Sequence, residues 1–209
     1  MVTIYLGGIR PLAPGNEPSG IFKFEQTAPV WLGRHGLAGD AQADRRVHGG
    51  PEKALHQYPP VHYAHLAQAF PALAAALVPG SIGENLSAAG WDETNVCIGD
   101  VFRLGAALIQ VSQPRAPCWK IDRRYGVAGM MQLIAAAGLT GWYFRVVKEG
   151  EVAPGCAFER IANPAPQATL ARLWQLWRAP RPDPQALLAL AATPGLAPNW
   201  VDKLTGRSR

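Results

Sequence analysis

Apolar residues follow two different rhythms along this chain. Up to about residue 160 they come in short runs, alternating or rich in β-branched and aromatic types, and cut by Gly and Pro. Val2 to Leu6 alternates, and Ile21 to Phe24 and Val30 to Leu32 are brief β-favouring runs. "NVCIGDVFRLGAALIQVS" (95 to 112) predicts strands interrupted at Gly99 and Gly105, and "GWYFRVVKEGEVAPGCAFERI" (141 to 161) predicts a hairpin turning at Glu149-Gly150. Helical pieces are set among them: "PPVHYAHLAQAF", "PALAAAL" and "GMMQLIAAAG", the last closing at Gly138. Many short strands at close spacing imply a sandwich or barrel. The predicted class is α+β, a β-barrel-like domain with inserted helices.

After the Pro-rich join "NPAPQ" (163 to 167) the rhythm becomes helical. Leu170, Leu173, Trp174 and Trp177 fall at i, i+3, i+4 and i+7, one face of a helix. Asp183 followed by Pro184 predicts a capped helix start, and "APNWVDKLTG" repeats the Pro opening and closes at Gly206. The division expected is 1–163 for the barrel-like domain and 164–209 for a three-helix unit. A unit of about 40 residues is too small for a large core of its own, so its Leu and Trp faces should dock on the barrel.

Composition adds little to this picture and removes several options. The chain has 209 residues, 48% hydrophobic and 17% charged, an ordinary globular balance. Three cysteines (Cys97, Cys118, Cys156) cannot all pair, and "MVTIYLGGIR" resembles no signal peptide, so reduced thiols and a cytoplasmic location are expected. No apolar run is long enough to span a membrane. The formal charge of +5 is spread over scattered Arg residues and the tail "DKLTGRSR", which suits solubility and does not call for a nucleic-acid polymer.

The candidate chemistry begins with "VSQPRAPCWKI" (111 to 121). A strand-like run ends at Pro114, where a proline should stop the ladder, and Pro117 then holds Cys118 in a rigid turn between Arg115 and Lys120. His62 and His65 at i, i+3, with His56 nearby, lack the spacing of a helical zinc site and suit exposed helix positions. Asp40 and Asp44 lie in "GLAGDAQADRR", where turn capping and pairing with Arg45 or Arg46 are the simpler expectation. In "RRVHGGPEKAL" (45 to 55), Gly49 and Gly50 permit close backbone approach, Pro51 opens a short helix, and Lys53 sits in its first turn. That is either an anion cradle or a plain turn. "SIGENLS" inserts Glu84 and Asn85, donors and acceptors for a polar heterocycle, into an apolar passage.

Taken in order, "GLAGDAQAD", "HGGPEKAL", "IGENLS", "IGDVFRLG" and "VSQPRAPCWK" resemble the molybdenum-cofactor sulfurase C-terminal (MOSC) domain. The helical tail extends the resemblance to the YiiM-like proteins that confer resistance to hydroxylaminopurine. The resemblance implies that the chain binds the molybdenum cofactor, a pyranopterin with a dithiolene and a phosphate. It also implies that Cys118 ligates molybdenum and is the catalytic residue. A soft sulfur ligand suits such a metal, and two prolines would hold it in position. Cys97 and Cys156 are then small fillers. Lys23 in "GIFKFE" matches the family's lysine in an early strand. Asp40, His48, Lys53, Asn85, Arg115 and Lys120 are implied to surround pterin and phosphate, with Arg34, Arg45 and Arg46 as alternative cations.

The activity implied is two-electron reduction of an N-hydroxylated small molecule, a hydroxylaminopurine-type base or an amidoxime, to the amine and water. No G-x-G-x-x-G opens a helix after a strand, and no iron–sulfur cysteine cluster is present in the sequence, so the electrons should come from a separate, flavin-dependent reductase. The alternative is a carrier that stores or delivers the cofactor without turning over substrate.

Overall fold

The computed structural model describes residues 1–208. The chain opens with six short strands: β1 (Val2–Leu6), β2 (Arg10–Leu12), β3 (Glu17–Ser19), β4 (Phe24–Glu25), β5 (Val30–Gly33) and β6 (Gly36–Leu37). The short helix α1 (Arg45–His48) and a 3-10 turn at Pro51–Lys53 lead into β7 (Leu55–Gln57). Then come α2 (His62–Ala69), a 3-10 turn at Pro71–Ala76, β8 (Leu86–Ala88), β9 (Val101–Leu104) and β10 (Ala107–Pro114). Helices α3 (Lys120–Tyr125) and α4 (Met130–Ala137) precede β11 (Trp142–Lys148), β12 (Gly150–Val152) and β13 (Phe158–Ala162). Helices α5 (Leu170–Arg178), α6 (Pro184–Ala191) and α7 (Pro198–Arg207) complete the α+β fold.

Eight strands form one curled, half-barrel sheet in the order β13-β9-β10-β11-β7-β8-β1-β4. Its ladders are antiparallel except for β7 against β8, which run parallel. A second sheet, β12-β5-β6, lies apart from this ladder, and β2 and β3 pair with each other. The concave core is apolar: Leu32, Leu55, Leu86, Phe102, Ile109, Trp142 and Phe144 are fully buried. Phe102 stacks on Phe158 at 4.8 Å, and Trp91 meets Phe102 edge-on at 5.0 Å, geometries that aromatic quadrupoles favour.

The C-terminal helices belong to the same core. Leu170, Leu173, Trp174, Leu187, Trp200 and Leu204 are contiguous with the barrel residues, as the apolar stripe of the sequence predicts. Each such side chain contributes roughly 1.5–3 kcal/mol on burial. The caps are in place as well: Thr169 Oγ1 accepts from Arg172 N at 3.1 Å, and the Asp183 carboxylate accepts from Gln185 N at 3.0 Å with Pro184 in the first turn. Helix α7 runs through Gly206 to Arg207 rather than closing at the glycine. Among the described residues no helix is long and apolar enough to cross a membrane.

Several expectations are corrected. Glu149-Gly150 does not turn a hairpin: β11 pairs with β10 and β7, whereas β12 crosses to β5, with Val152 opposite Val30. The Glu149 carboxylate accepts from Arg34 N at 2.7 Å, which fastens the crossing. Pro114 does not stop the ladder. It pairs opposite Trp142 at the end of β10, where a missing N–H interrupts little, and Arg115 N then donates to the Gly141 carbonyl. The run from Ile21 is strand only at Phe24–Glu25. Residues 96–98 make no extended strand; Cys97 forms one isolated bridge to Thr169.

Candidate active site

One cavity collects all eight residues that the family resemblance implies for the site: Lys23, Asp40, His48, Lys53, Asn85, Arg115, Cys118 and Lys120. They arrive from five separated segments, so only the folded chain brings them together. His56, Tyr143, Gln42, Ile21 and Ile82 line the same cavity and were not anticipated as site residues.

The floor is an ionic and amide network. Lys23 pairs with Asp40, the side chains only 4% and 1% exposed. The Asp40 carboxylate also accepts from Gly7 N at 2.9 Å and from Asn85 Nδ2 at 3.0 Å. Asn85 in turn accepts from His56 N at 3.1 Å through Oδ1 and donates to the Tyr5 carbonyl. The amide of Asn85 is thus engaged within the protein and acts as a framework link between β1, β7 and Asp40. Lys23 lies in the segment just before β4, not inside a strand.

Arg115 is different. It is 5% exposed, no carboxylate lies within ion-pair distance of it among the described residues, Nη2 reaches the Ile82 carbonyl only at 3.5 Å, and Nη1 has no protein partner. A buried guanidinium left uncompensated is expensive for an empty fold and well suited to an anion. Its charge reaches its neighbours. Burial first, and then Arg115, Lys120 and Lys53, push the His48 imidazole down to about 4, so it is neutral at pH 7. Burial, with Arg115 next, lowers His56 well below the usual histidine range, and its Nε2 lacks a partner. Tyr143 is raised by burial, with Arg115 opposing.

Cys118 is half-buried at the cavity wall, two residues before α3, its carbonyl accepting from Ile121 N at 3.0 Å. The sequence signals for this helix are weak, because it is only one and a half turns long. It is held from two sides. Asp122 accepts from Gly129 N at 3.0 Å and Met131 N at 2.7 Å, which joins α3 to α4. Lys120 Nζ donates to the Pro18 carbonyl at 2.7 Å, and Arg124 donates to that of Ile21. The rigid turn expected around Cys118 therefore owes as much to these ties as to the prolines.

The Gly-Gly turn acts indirectly. Gly50 has φ of +91°, a conformation that L side chains avoid, and the turn it permits delivers His48 and Lys53 to the cavity, which the glycines themselves do not line. Lys53 Nζ donates to the Val47 carbonyl and lies 5.9 Å from the Tyr143 ring.

Other candidates fall outside the cavity. Asp44 caps α1 and pairs with exposed Arg46, as expected, and Arg34 and Arg45 do not line the cavity. Glu84 is wholly buried and accepts from Tyr63, Gly80 N and Ile82 N, a structural hub. His62 and His56 are not exposed: His62 Nε2 lies 2.7 Å from Glu93, His56 sits on β7, and only His65 of the three is exposed. Among the described residues, no three His, Cys, Asp or Glu side chains are placed to hold a metal ion. Cys97 is buried, and Cys156 packs against the main core. The signal that could have found His56 was the strand-forming stretch after Ala54; Tyr143 lies in a strand whose apolar neighbours conceal it.

A half-barrel with one thiol among cations defines a class. The MOSC domain model matches residues 44–159, and the chain belongs to the MOSC domain family. Residues 169–207 match the YiiM-like, 3-alpha helix domain. The chain is similar to Protein YiiM of Escherichia coli (strain K12), 37% identical over 206 residues that cover 99% of this chain and 91% of that protein. The crystal structure of YiiM from Escherichia coli shares the fold, with a TM-score of 0.83 and 31% identity, covering 99% of this chain and 90% of the other. A Gibberella moniliformis protein named Reductase is 33% identical over 181 residues, 86% of this chain and 32% of that protein. MOSC domains are associated with molybdenum-cofactor binding, which gives this chain a molybdenum-cofactor-associated function.

Proposed function

We propose that this protein is a molybdenum-cofactor-dependent oxidoreductase that reduces N-hydroxylated compounds, hydroxylaminopurine-type bases and amidoximes, to their amines. The observation that carries the reading is Arg115, a buried cation with an unpartnered Nη1 in the same cavity as the Cys118 thiol. The donor set fits the cofactor: a soft sulfur for molybdenum, and a guanidinium and two ammonium groups for a phosphate. The cavity, with a volume of ≈80 Å³, opens to solvent on one side, so a ligand can extend out of it. Lys53 and Lys120, each anchored to a backbone carbonyl, are the wall groups able to yield to the rest.

When bound, the cofactor supplies two-electron oxidation–reduction at molybdenum. The chain's own residues do the rest. Cys118 Sγ would hold the metal, while Arg115, Lys53 and Lys120 would meet the phosphate. Asp40 and Asn85 fix Lys23 as a preorganised positive charge at the floor. Neutral His48 and His56 offer uncharged ring nitrogens that add no further repulsion among the neighbouring cations. Ile21, Ile82 and Tyr143 present flat or apolar surface to a planar substrate. The net reduction consumes two electrons and two protons and releases water, with the electrons coming from a separate flavin-dependent reductase.

The test is molybdenum and pterin per chain in protein purified from a cofactor-competent host, followed by reduction of hydroxylaminopurine with an artificial electron donor. Near-stoichiometric cofactor with turnover supports the reading. Cofactor without turnover identifies a carrier, and protein that takes up no cofactor overturns both.

A further inference from the structure

Three separate connections run from the C-terminal unit to a single residue beside the cavity, Glu52. Gly195, in the link between α6 and α7, accepts from Arg145 Nη1 at 2.7 Å, and the same guanidinium grips the Glu52 carboxylate, with Nε at 3.2 and 3.0 Å from its oxygens and Nη2 on Oε2. Ala197 N donates to the Ser112 carbonyl at 2.9 Å, and Ser112 Oγ donates to the Glu52 carbonyl at 2.6 Å. Asn199 Nδ2 donates to Gln113 Oε1 at 3.2 Å, and Gln113 Nε2 donates to that same Glu52 carbonyl at 3.3 Å.

Glu52 is the middle residue of the 3-10 turn whose last residue is Lys53, and the turn follows directly on His48, Gly49 and Gly50. A two-residue glycine passage has little stiffness of its own, so its position must be set by what holds its end. Here that end is held through both the side chain and the backbone of Glu52. Arg145 also bonds Gln110 Oε1 at 2.7 Å, which leaves its fork engaged on three sides and its direction determined.

We propose that the three-helix unit braces the site from behind without lining it: residues 195–199 position the Gly-Gly turn, and with it His48 and Lys53, through Arg145, Ser112 and Gln113, with Arg145 the principal positioning residue. The unit therefore has a role beyond covering the barrel's apolar surface. The identity of the ligand that the positioned residues receive rests on the function proposed above; the mechanical link does not.

The experiment uses the full-length chain with Arg145→Met, Arg145→Lys and Asn199→Ala, and reads amide hydrogen exchange and cofactor content. Arg145→Met should speed exchange at Val47, His48 and Lys53 about tenfold or more, while amides of α5 and α7 such as Leu173 and Leu204 keep their protection. Pterin per chain should fall several-fold in the same variant and recover in part with Arg145→Lys. Asn199→Ala, which leaves every charge in place, should give a smaller change of the same pattern and serves if Arg145→Met does not fold. Unchanged exchange at 47–53, or exchange raised uniformly over the whole chain, would overturn the proposal. Because exchange is read without any cofactor, failure of the functional reading would show instead as wild-type protein lacking pterin.

Discussion

The cavity and the three-helix unit beside it obey opposite rules. In the helices every level agrees: apolar residues recur at helical spacing, Thr169 and Asp183 cap, and Leu173, Leu187 and Leu204 are fully buried. In the cavity local rules are broken repeatedly. Arg115 is buried without a counter-charge, three further cations share its space, and Gly50 holds a backbone conformation closed to most residues. One region is arranged for stability, whereas the other keeps buried polar and charged groups at a local cost that stability alone does not explain. The contrast predicts that substitutions will sort by region, in what they damage as much as in how much.

The largest effect belongs to Cys118. Cys118→Ser should abolish reduction while melting remains as in the wild type, since the thiol is half-buried and outside both core clusters. Cys97→Ala and Cys156→Ala should stay active. Full molybdenum-dependent turnover by the Cys118 variant would remove the basis of the comparison.

Next comes the helical side. Leu173→Ala leaves a cavity in the shared core and should lower unfolding free energy by about 2–5 kcal/mol in denaturant titrations. The protein that remains folded should bind cofactor normally. The reverse pattern is expected at the site: Arg115→Met and Lys53→Glu should strip pterin and molybdenum from the purified protein. Apo stability should change by only about 1 kcal/mol or less, and Arg115→Met could raise it by removing an unpaired charge. Unaltered cofactor content in Lys53→Glu would move the phosphate contact to Arg115, Lys120 or Lys23.

The smallest effect is a pH slope. His48 titrates near 4 in the folded chain and about 6.5 when unfolded, so between those values the unfolded state binds the extra proton. Stability should therefore fall as pH drops from about 6.5 toward 4, with His56 acting in the same direction. Helices α5 to α7 contain no histidine. His48→Gln should flatten the slope of melting temperature against pH; an unchanged slope would place the titrating group elsewhere.

The same division governs what could be learned without coordinates. The three helices, their caps and their buried faces were legible because a helix writes its contacts at fixed short spacings, as Leu170, Leu173 and Trp174 do. Strands such as β1, β5, β9, β10 and β11 were legible for the same local reason, whereas β2, β3, β6, β7 and β8, each two or three residues long, were not. Cys118 and its companions could be picked out because ordered motifs carried them, and the cavity gathers all eight. Tertiary structure alone decided where strands cross. Nothing near Glu149 signals that β12 will leave β11 for Val30, since that pairing joins residues over a hundred positions apart. It also decided which histidines are buried, how α3 is tied down by Asp122, and that Gly195, Arg145 and Glu52 form one line. A side chain's burial and its distant partners depend on which surfaces meet, and no period in the chain records that meeting.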